Sequence, residues 1–113
     1  MLFDVSGEDL RKQLTHIKKN LKGGRKSILY IEIYEDSILL VYRDIEMPIK
    51  VLNPIGNAHN LRAIYTISDY ALLHKLIMKF KDYEIYTMDF YPNSIRMKIG
   101  NVQFEVAACL QKQ

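Results

Sequence analysis

The sequence predicts an α+β fold built from two similar halves. The order strand, helix and three strands fills residues 1–53 and returns in 61–108, and each half contains one helix with an apolar face. A segment with Pro54 and Gly56 separates the halves. One βαβββ unit cannot cover its own helix and sheet, whereas two units related by an approximate two-fold axis can share a core. We therefore expect one domain, 1–113, with two helices on one side of antiparallel sheets.

The first unit opens with a short apolar strand over residues 2–5, followed by a helix. Ser6 is a candidate N-cap, and Gly23-Gly24 is typical of a helix C-terminus. Apolar residues recur at spacings of four, three and four, which places them on one helical face: Leu10, Leu14, Ile17 and Leu21.

Three strands complete the first unit. Residues 27–34 and 38–43 are rich in β-branched and aromatic side chains and flank turn residues, which predicts a hairpin. Residues 45–51 alternate apolar and polar side chains, and Pro48 predicts an edge or irregular position for this strand. Residues 53–60 form the linker to the second unit.

The second unit repeats the order with a strand over 62–67, a cap at Ser68 and strands over 83–90, 95–99 and 102–106. The predicted apolar face of its helix leaves His74 on the other side and comprises Leu72, Leu73, Leu76, Ile77 and Phe80. Three pairs lie 62 positions apart, which predicts a repeat in register: Ser6 and Ser68, Leu10 and Leu72, Leu14 and Leu76.

Positive charge is concentrated on and beside the helices. The net charge of +3 is too small to indicate nucleic-acid binding by itself. The evidence for or against such binding must therefore come from where the cations lie. Cations on a rigid helix can face phosphates, although lysines on the solvated back of an amphipathic helix are equally ordinary. The candidate DNA-binding residues are Arg11, Lys12, Lys18, Lys19, Lys22, Arg25, Lys26, Lys75, Lys79 and Lys81.

No residue pattern favours an enzyme. Asp44 and Glu46 could form a carboxylate pair on one strand, but no histidine or third carboxylate lies beside them in sequence. His16, His59 and His74 lack metal-ligand spacing, and we expect them at the surface or on the helix backs. No glycine-rich phosphate loop is present. We expect no catalysis, no cofactor and no metal.

Composition bounds the location of the protein. No apolar stretch approaches the roughly 20 residues needed to span a bilayer, and the amino terminus lacks a basic leader followed by an apolar segment. The single Cys109 cannot form an internal disulfide. We expect a cytoplasmic protein without membrane contact.

Four segments carry a family resemblance: the opening 1–6, Arg43-Asp44-Ile45-Glu46-Met47, 63–67 before the second helix, and the hairpin 94–106. They resemble one domain of the DNA sliding clamps, most closely the bacterial DNA polymerase III β-subunit. In that family a threonine usually precedes the Asp-Leu-Glu stretch, and Arg43 replaces it here.

The resemblance implies a clamp-like domain that self-associates, contacts duplex DNA and serves a DNA polymerase or clamp loader as a processivity factor. Clamp rings contain six such domains, so an equivalent ring needs six copies of this chain. Subunits of clamps pair edge strands, and we expect that pairing near 37–43 and 95–99.

Two other functions remain open from the sequence. The first is a clamp-fold interaction module that binds and regulates a replication protein without encircling DNA. The second is a domain that binds single-stranded nucleic acid by stacking bases on its tyrosines, although tyrosine is also simply favoured in strands. The tyrosines concerned are Tyr30, Tyr34, Tyr42, Tyr65, Tyr83, Tyr86 and Tyr91.

Overall fold

The structure is a computed structural model that describes residues 1–19 and 28–112. These residues form two α-helices and nine strands. In chain order they are β1 (Leu2–Ser6), α1 (Gly7–Lys19), β2 (Leu29–Tyr34), β3 (Ile38–Tyr42), β4 (Ile45–Ile49), β5 (Leu61–Ile67), α2 (Tyr70–Ile77) with a 3₁₀ turn (Met78–Phe80), β6 (Ile85–Tyr91), β7 (Ser94–Ile99), β8 (Val102–Ala107) and β9 (Cys109–Lys112).

The strands form two antiparallel sheets that exchange strands between the two units. The first sheet has the order β1-β6-β7-β8, and the second has the order β4-β3-β2-β5-β9. Thus β1 of the first unit pairs with β6 of the second, and β5 of the second unit pairs with β2 of the first. The α+β prediction with two βαβββ units is confirmed, and β9 is an additional strand.

The repeat register differs from the prediction in the helices. Leu10 and Leu73 occupy equivalent buried positions, as do Leu14 and Ile77, so the helices are offset by 63 residues. Leu72, predicted to face the core, is 44% exposed. Paired leucines at 72–73 fit two adjacent registers equally well, and the sequence alone could not choose between them.

The helix caps explain the shift by one residue. Ser6 Oγ accepts a hydrogen bond from the Asp9 amide at 3.1 Å, whereas in α2 the Asp69 carboxylate accepts from the Leu72 amide at 3.1 Å. Ser68 is therefore not the cap, and the prediction for it was wrong. The cap of α1 directly follows Val5, whereas the cap of α2 is the second residue after Ile67, so the second helix begins one position later relative to its strand.

Sheet order also determines which strands lie at the edge of a sheet and which have a partner strand on both sides. β4 and β8 lie at sheet edges, whereas β3 and β7 are paired on both sides. The prediction of subunit pairing near 37–43 and 95–99 was therefore wrong, because those backbones already have partners. The edge position predicted from Pro48 is confirmed.

One buried cluster combines side chains from both sheets and both helices. Phe3 and Tyr86 from the first sheet, Tyr42 from the second, and Leu14 and Ile77 from the helices belong to it. Within residues 1–19 and 28–112, neither helix is long and apolar enough to cross a membrane.

Candidate nucleic-acid interface

The two helices pack beside each other and direct lysines outward. α1 buries Gly7, Leu10, Leu14 and Ile17, and this amphipathic spacing leaves its lysines in solvent. We call the exposed lysines of α1, α2 and the residues that follow α2 the helix lysines: Lys12, Lys18, Lys19, Lys75, Lys79 and Lys81.

None of the helix lysines forms an ion pair with another described residue. The carboxylates nearest in sequence are Glu8 and Asp9 in the first turn of α1 and Asp82 after Lys81, and residues 10–19 and 70–81 contain no Asp or Glu. The four ion pairs found among the described residues involve other cations: the amino terminus, His59, Arg62 and Arg96. Unpaired ammonium groups on rigid helices favour polyanions, because neutralising phosphates releases condensed counterions.

Arg11 is half-buried and bonds to other parts of the fold rather than extending into solvent. Its Nη1 donates hydrogen bonds to the Phe80 carbonyl at 3.2 Å, the Tyr83 carbonyl at 3.1 Å and Tyr86 Oη at 2.6 Å. The single hydroxyl hydrogen of Tyr86 lies within reach of two carbonyl acceptors, Phe80 O at 2.8 Å and Ile77 O at 3.1 Å from Oη. Arg11 therefore ties α1 to the C-terminal end of α2, where helix carbonyls lack intrahelical partners.

His74 lies buried between the helices, contrary to the prediction that it faces outward. Its Nε2 is 2.9 Å from Thr15 Oγ1. Burial, and then the positive charge of Lys18, lowers the pKa of His74 below its usual value. A lowered pKa favours the neutral imidazole, which is not repelled by the positive charge of Lys18.

Three of the predicted DNA-binding residues, Lys22, Arg25 and Lys26, lie outside the described residues. The same holds for Leu21 and for the predicted helix end at Gly23-Gly24.

An open cavity of about 710 Å³ runs between α1 and β4. Met47 and Met78 line it together with Ile45, which is 37% exposed, while Lys12 and Lys19 stand on the helix side. The remaining lining residues are Arg11, Gln13, Thr15, His16, Glu46 and Pro48. Its lining comes from three separate elements, so no contiguous sequence signal could have predicted it.

The other candidate groups do not converge on a site. Asp44 lies in the turn before β4 rather than on the strand with Glu46, and both residues are exposed. His59 stacks on Tyr34 with ring centroids 4.1 Å apart, and its Nδ1 is 2.8 Å from Asp36 Oδ1. Within the described ranges, no group of three or more His, Cys, Asp or Glu side chains could hold a metal ion.

The tyrosines divide between core and surface. Tyr42, Tyr65, Tyr70 and Tyr86 are buried, and Tyr34 is half-buried. The exposed ones, Tyr30, Tyr83 and Tyr91, lie on or beside three different elements rather than in one row. This arrangement does not form a stacking platform for successive bases.

No known family model and no curated protein matches the chain.

Proposed function

We propose that the protein is a cytoplasmic sliding-clamp-like DNA-binding protein that self-associates and tethers replication or repair factors to duplex DNA. The observation that carries this proposal is the set of helix lysines, which lie on and just after two adjoining helices and take part in none of the ion pairs found among the described residues. Such cations can hold phosphates without reading bases, as movement along a duplex requires. The sequence resemblance to a clamp domain supports the same function.

The described residues form one such domain, and enclosure of DNA would bring several of these domains together. Six copies would provide the number of domains found in the clamp rings that the sequence resembles. The tethered partner would be a DNA polymerase or a clamp loader.

A pair of matched triple variants tests the role of the helices. Lys12, Lys19 and Lys75 are changed together to Ala, and Lys50, Lys98 and Lys112 serve as the control triple, since all six are exposed and both variants lose three charges. If each of the three replaced helix lysines neutralises one phosphate, the helix triple should reduce the slope of log K against log salt by roughly 2.7. Near 0.1 M salt this corresponds to a loss of affinity for duplex DNA of up to about 500-fold.

Fluorescence anisotropy on duplex DNA measures both triples over a salt series. The proposal expects the control triple to stay close to the unchanged protein. Equal losses for the two triples would mean that only total charge matters and would remove the helix face from the interface.

Encirclement is tested separately by comparing closed circular DNA with the same DNA cut once. A ring is retained on the circle and runs off the free ends, whereas simple cation binding treats both forms alike. Equal retention would reject the ring while leaving binding by the helix lysines standing.

A second candidate is a clamp-fold module that binds and regulates a replication protein. The cavity between α1 and β4 favours it, because partly exposed Ile45 and half-buried Met78 give it an apolar lining. Under this candidate the two lysine triples bind duplex DNA equally weakly, and the native particle in isolation contains one copy.

A further inference from the structure

The backbone at the edge of the second sheet is largely occupied at β4. Pro48 has no amide hydrogen, and its carbonyl accepts a hydrogen bond from Gln13 Nε2 at 3.4 Å. Just beyond β4, the Lys50 amide donates to Asp9 Oδ2 at 2.9 Å. Side chains of α1 thus cover this edge. Natural proteins often cover sheet edges in this way, which prevents them from pairing with another chain.

The outward backbone groups of β1 and β9 also form hydrogen bonds. The Ser6 amide of β1 donates to the Lys50 carbonyl at 2.9 Å, and the Leu110 amide of β9 donates to the Pro92 carbonyl at 3.0 Å. Both strands therefore have backbone contacts on the side away from their sheet partner.

β8 differs from the other three edge strands. Ile99 and Val102 pair across the two-residue turn that opens β8, so Val102 and every second residue after it face β7. The N–H and C=O groups of Gln103, Glu105 and Ala107 therefore point away from the sheet. Among the described residues, these groups have no hydrogen-bond partner.

An apolar margin adjoins this open edge. Val102 is 45% exposed, and half-buried Phe104 stacks on Phe80 with ring centroids 6.3 Å apart. Tyr83, 46% exposed, makes an edge contact with the Phe80 ring, with centroids 6.2 Å apart. An added strand would cover part of this margin as well as satisfy the backbone groups.

We propose that β8 pairs antiparallel with β8 of a second copy, about a two-fold axis through Phe104. In this register Gln103 lies opposite Glu105 of the second copy, and the two Phe104 side chains meet on the apolar side. An axis through Glu105 would instead set two carboxylates directly opposite each other, which disfavours that register.

The charges on the outer face fit the proposed register. Glu105 forms an ion pair with Arg96 at 2.9 Å, and Lys98 is the cross-strand neighbour of Gln103. Across the joined sheets each row then reads Lys98, Gln103, Glu105 and Arg96, with the last two from the second copy. No like charges are adjacent in that row.

This inference rests on the self-association in the proposed function and is independent of DNA binding. Head-to-tail pairing of β8 with β4 is disfavoured because Gln13, Asp9 and Pro48 block the β4 edge. A pair joined at β8 supplies two domains, and a larger ring would require a second contact between pairs.

Gln103→Pro tests the backbone contact. This change removes one outward amide hydrogen, just as Pro48 does on β4, and it leaves the hydrogen bonds between β7 and β8 in place. Sedimentation velocity on the full chain should show the dimer dissociation constant rising at least about tenfold. Circular dichroism verifies that the variant is folded.

Two further substitutions test the register by charge. Gln103→Glu places a carboxylate opposite Glu105 of the second copy and should weaken the dimer, whereas Gln103→Lys should strengthen it, each by about 2- to 30-fold over the two symmetric pairs. Within one chain the effects are reversed, because Lys98 attracts a glutamate and repels a lysine at position 103. A stability change of the monomer therefore cannot imitate the expected order.

The outcomes separate this inference from the proposed function. An unchanged protein that remains monomeric at high concentration overturns both the β8 pairing and self-association. An oligomer that none of the three Gln103 variants alters overturns the β8 pairing alone. Loss of duplex binding with an intact dimer contradicts the DNA function and leaves the pairing standing.

Discussion

Replacing Arg11 with Ala should destabilise the fold far more than replacing its exposed neighbour Lys12. The substitution removes the donor to Phe80 O, Tyr83 O and Tyr86 Oη. A hydrogen bond to a charged group contributes roughly 1.5–3 kcal/mol. Because Arg11 is only half-buried, water can replace part of this, and we expect a total loss of about 2–4 kcal/mol. Lys12→Ala should stay within about 0.5 kcal/mol of the unchanged protein.

Equilibrium unfolding in urea measures both variants. With a typical slope of about 2 kcal/mol per molar urea, the midpoint of Arg11→Ala should fall by roughly 1–2 M. Arg11→Met separates the contribution of the guanidinium from that of the aliphatic stem, which it largely keeps. If Arg11→Ala unfolds at the unchanged midpoint and instead weakens DNA binding as Lys12→Ala does, Arg11 is a DNA contact and the structural role argued from its three acceptors is refuted.

Two further predictions concern α2. Asp69→Ala should cost about 1 kcal/mol of unfolding free energy through loss of the N-cap, while Ser68→Ala should cost almost nothing; equal urea midpoints for the two variants would contradict the cap assignment. Since burial and Lys18 lower the pKa of His74, the unfolded state binds a proton more readily, and stability should fall as the pH drops below about 6.5. His74→Gln should flatten this part of the stability profile between pH 5 and 7.5, and a profile identical to that of the unchanged protein would exclude His74 as its source.

Local patterns predicted most of the elements correctly. Period-two alternation identified β4, and its Pro48 indicated an edge, because a missing amide is tolerated only where no neighbouring strand needs it. The spacing of Leu10, Leu14 and Ile17 identified the buried side of α1. The predictions failed where two registers were equally apolar, as at Leu72 and Leu73, since only the cap at Asp69 distinguishes them.

The candidate site was predicted unevenly. Exposed Lys12 and Lys75 followed from helical periodicity, which separates the solvent side of a helix from its packed side. Arg11 is also cationic and directly precedes Lys12 in sequence, yet its acceptors at Phe80 and Tyr83 lie some 70 residues away. No local pattern encodes such a contact.

The sequence by itself determined the α+β class, the doubled βαβββ order and the concentration of cations on the helices. These properties follow from hydrophobic periodicity, turn residues and charge placement, all of which act over a few residues. Only the tertiary structure decided that the units exchange their first strands, that Arg11 bonds across to residues 80–86, that His74 is buried, and that β8 keeps an open edge. Each of these depends on backbone or side-chain partners brought together across the chain.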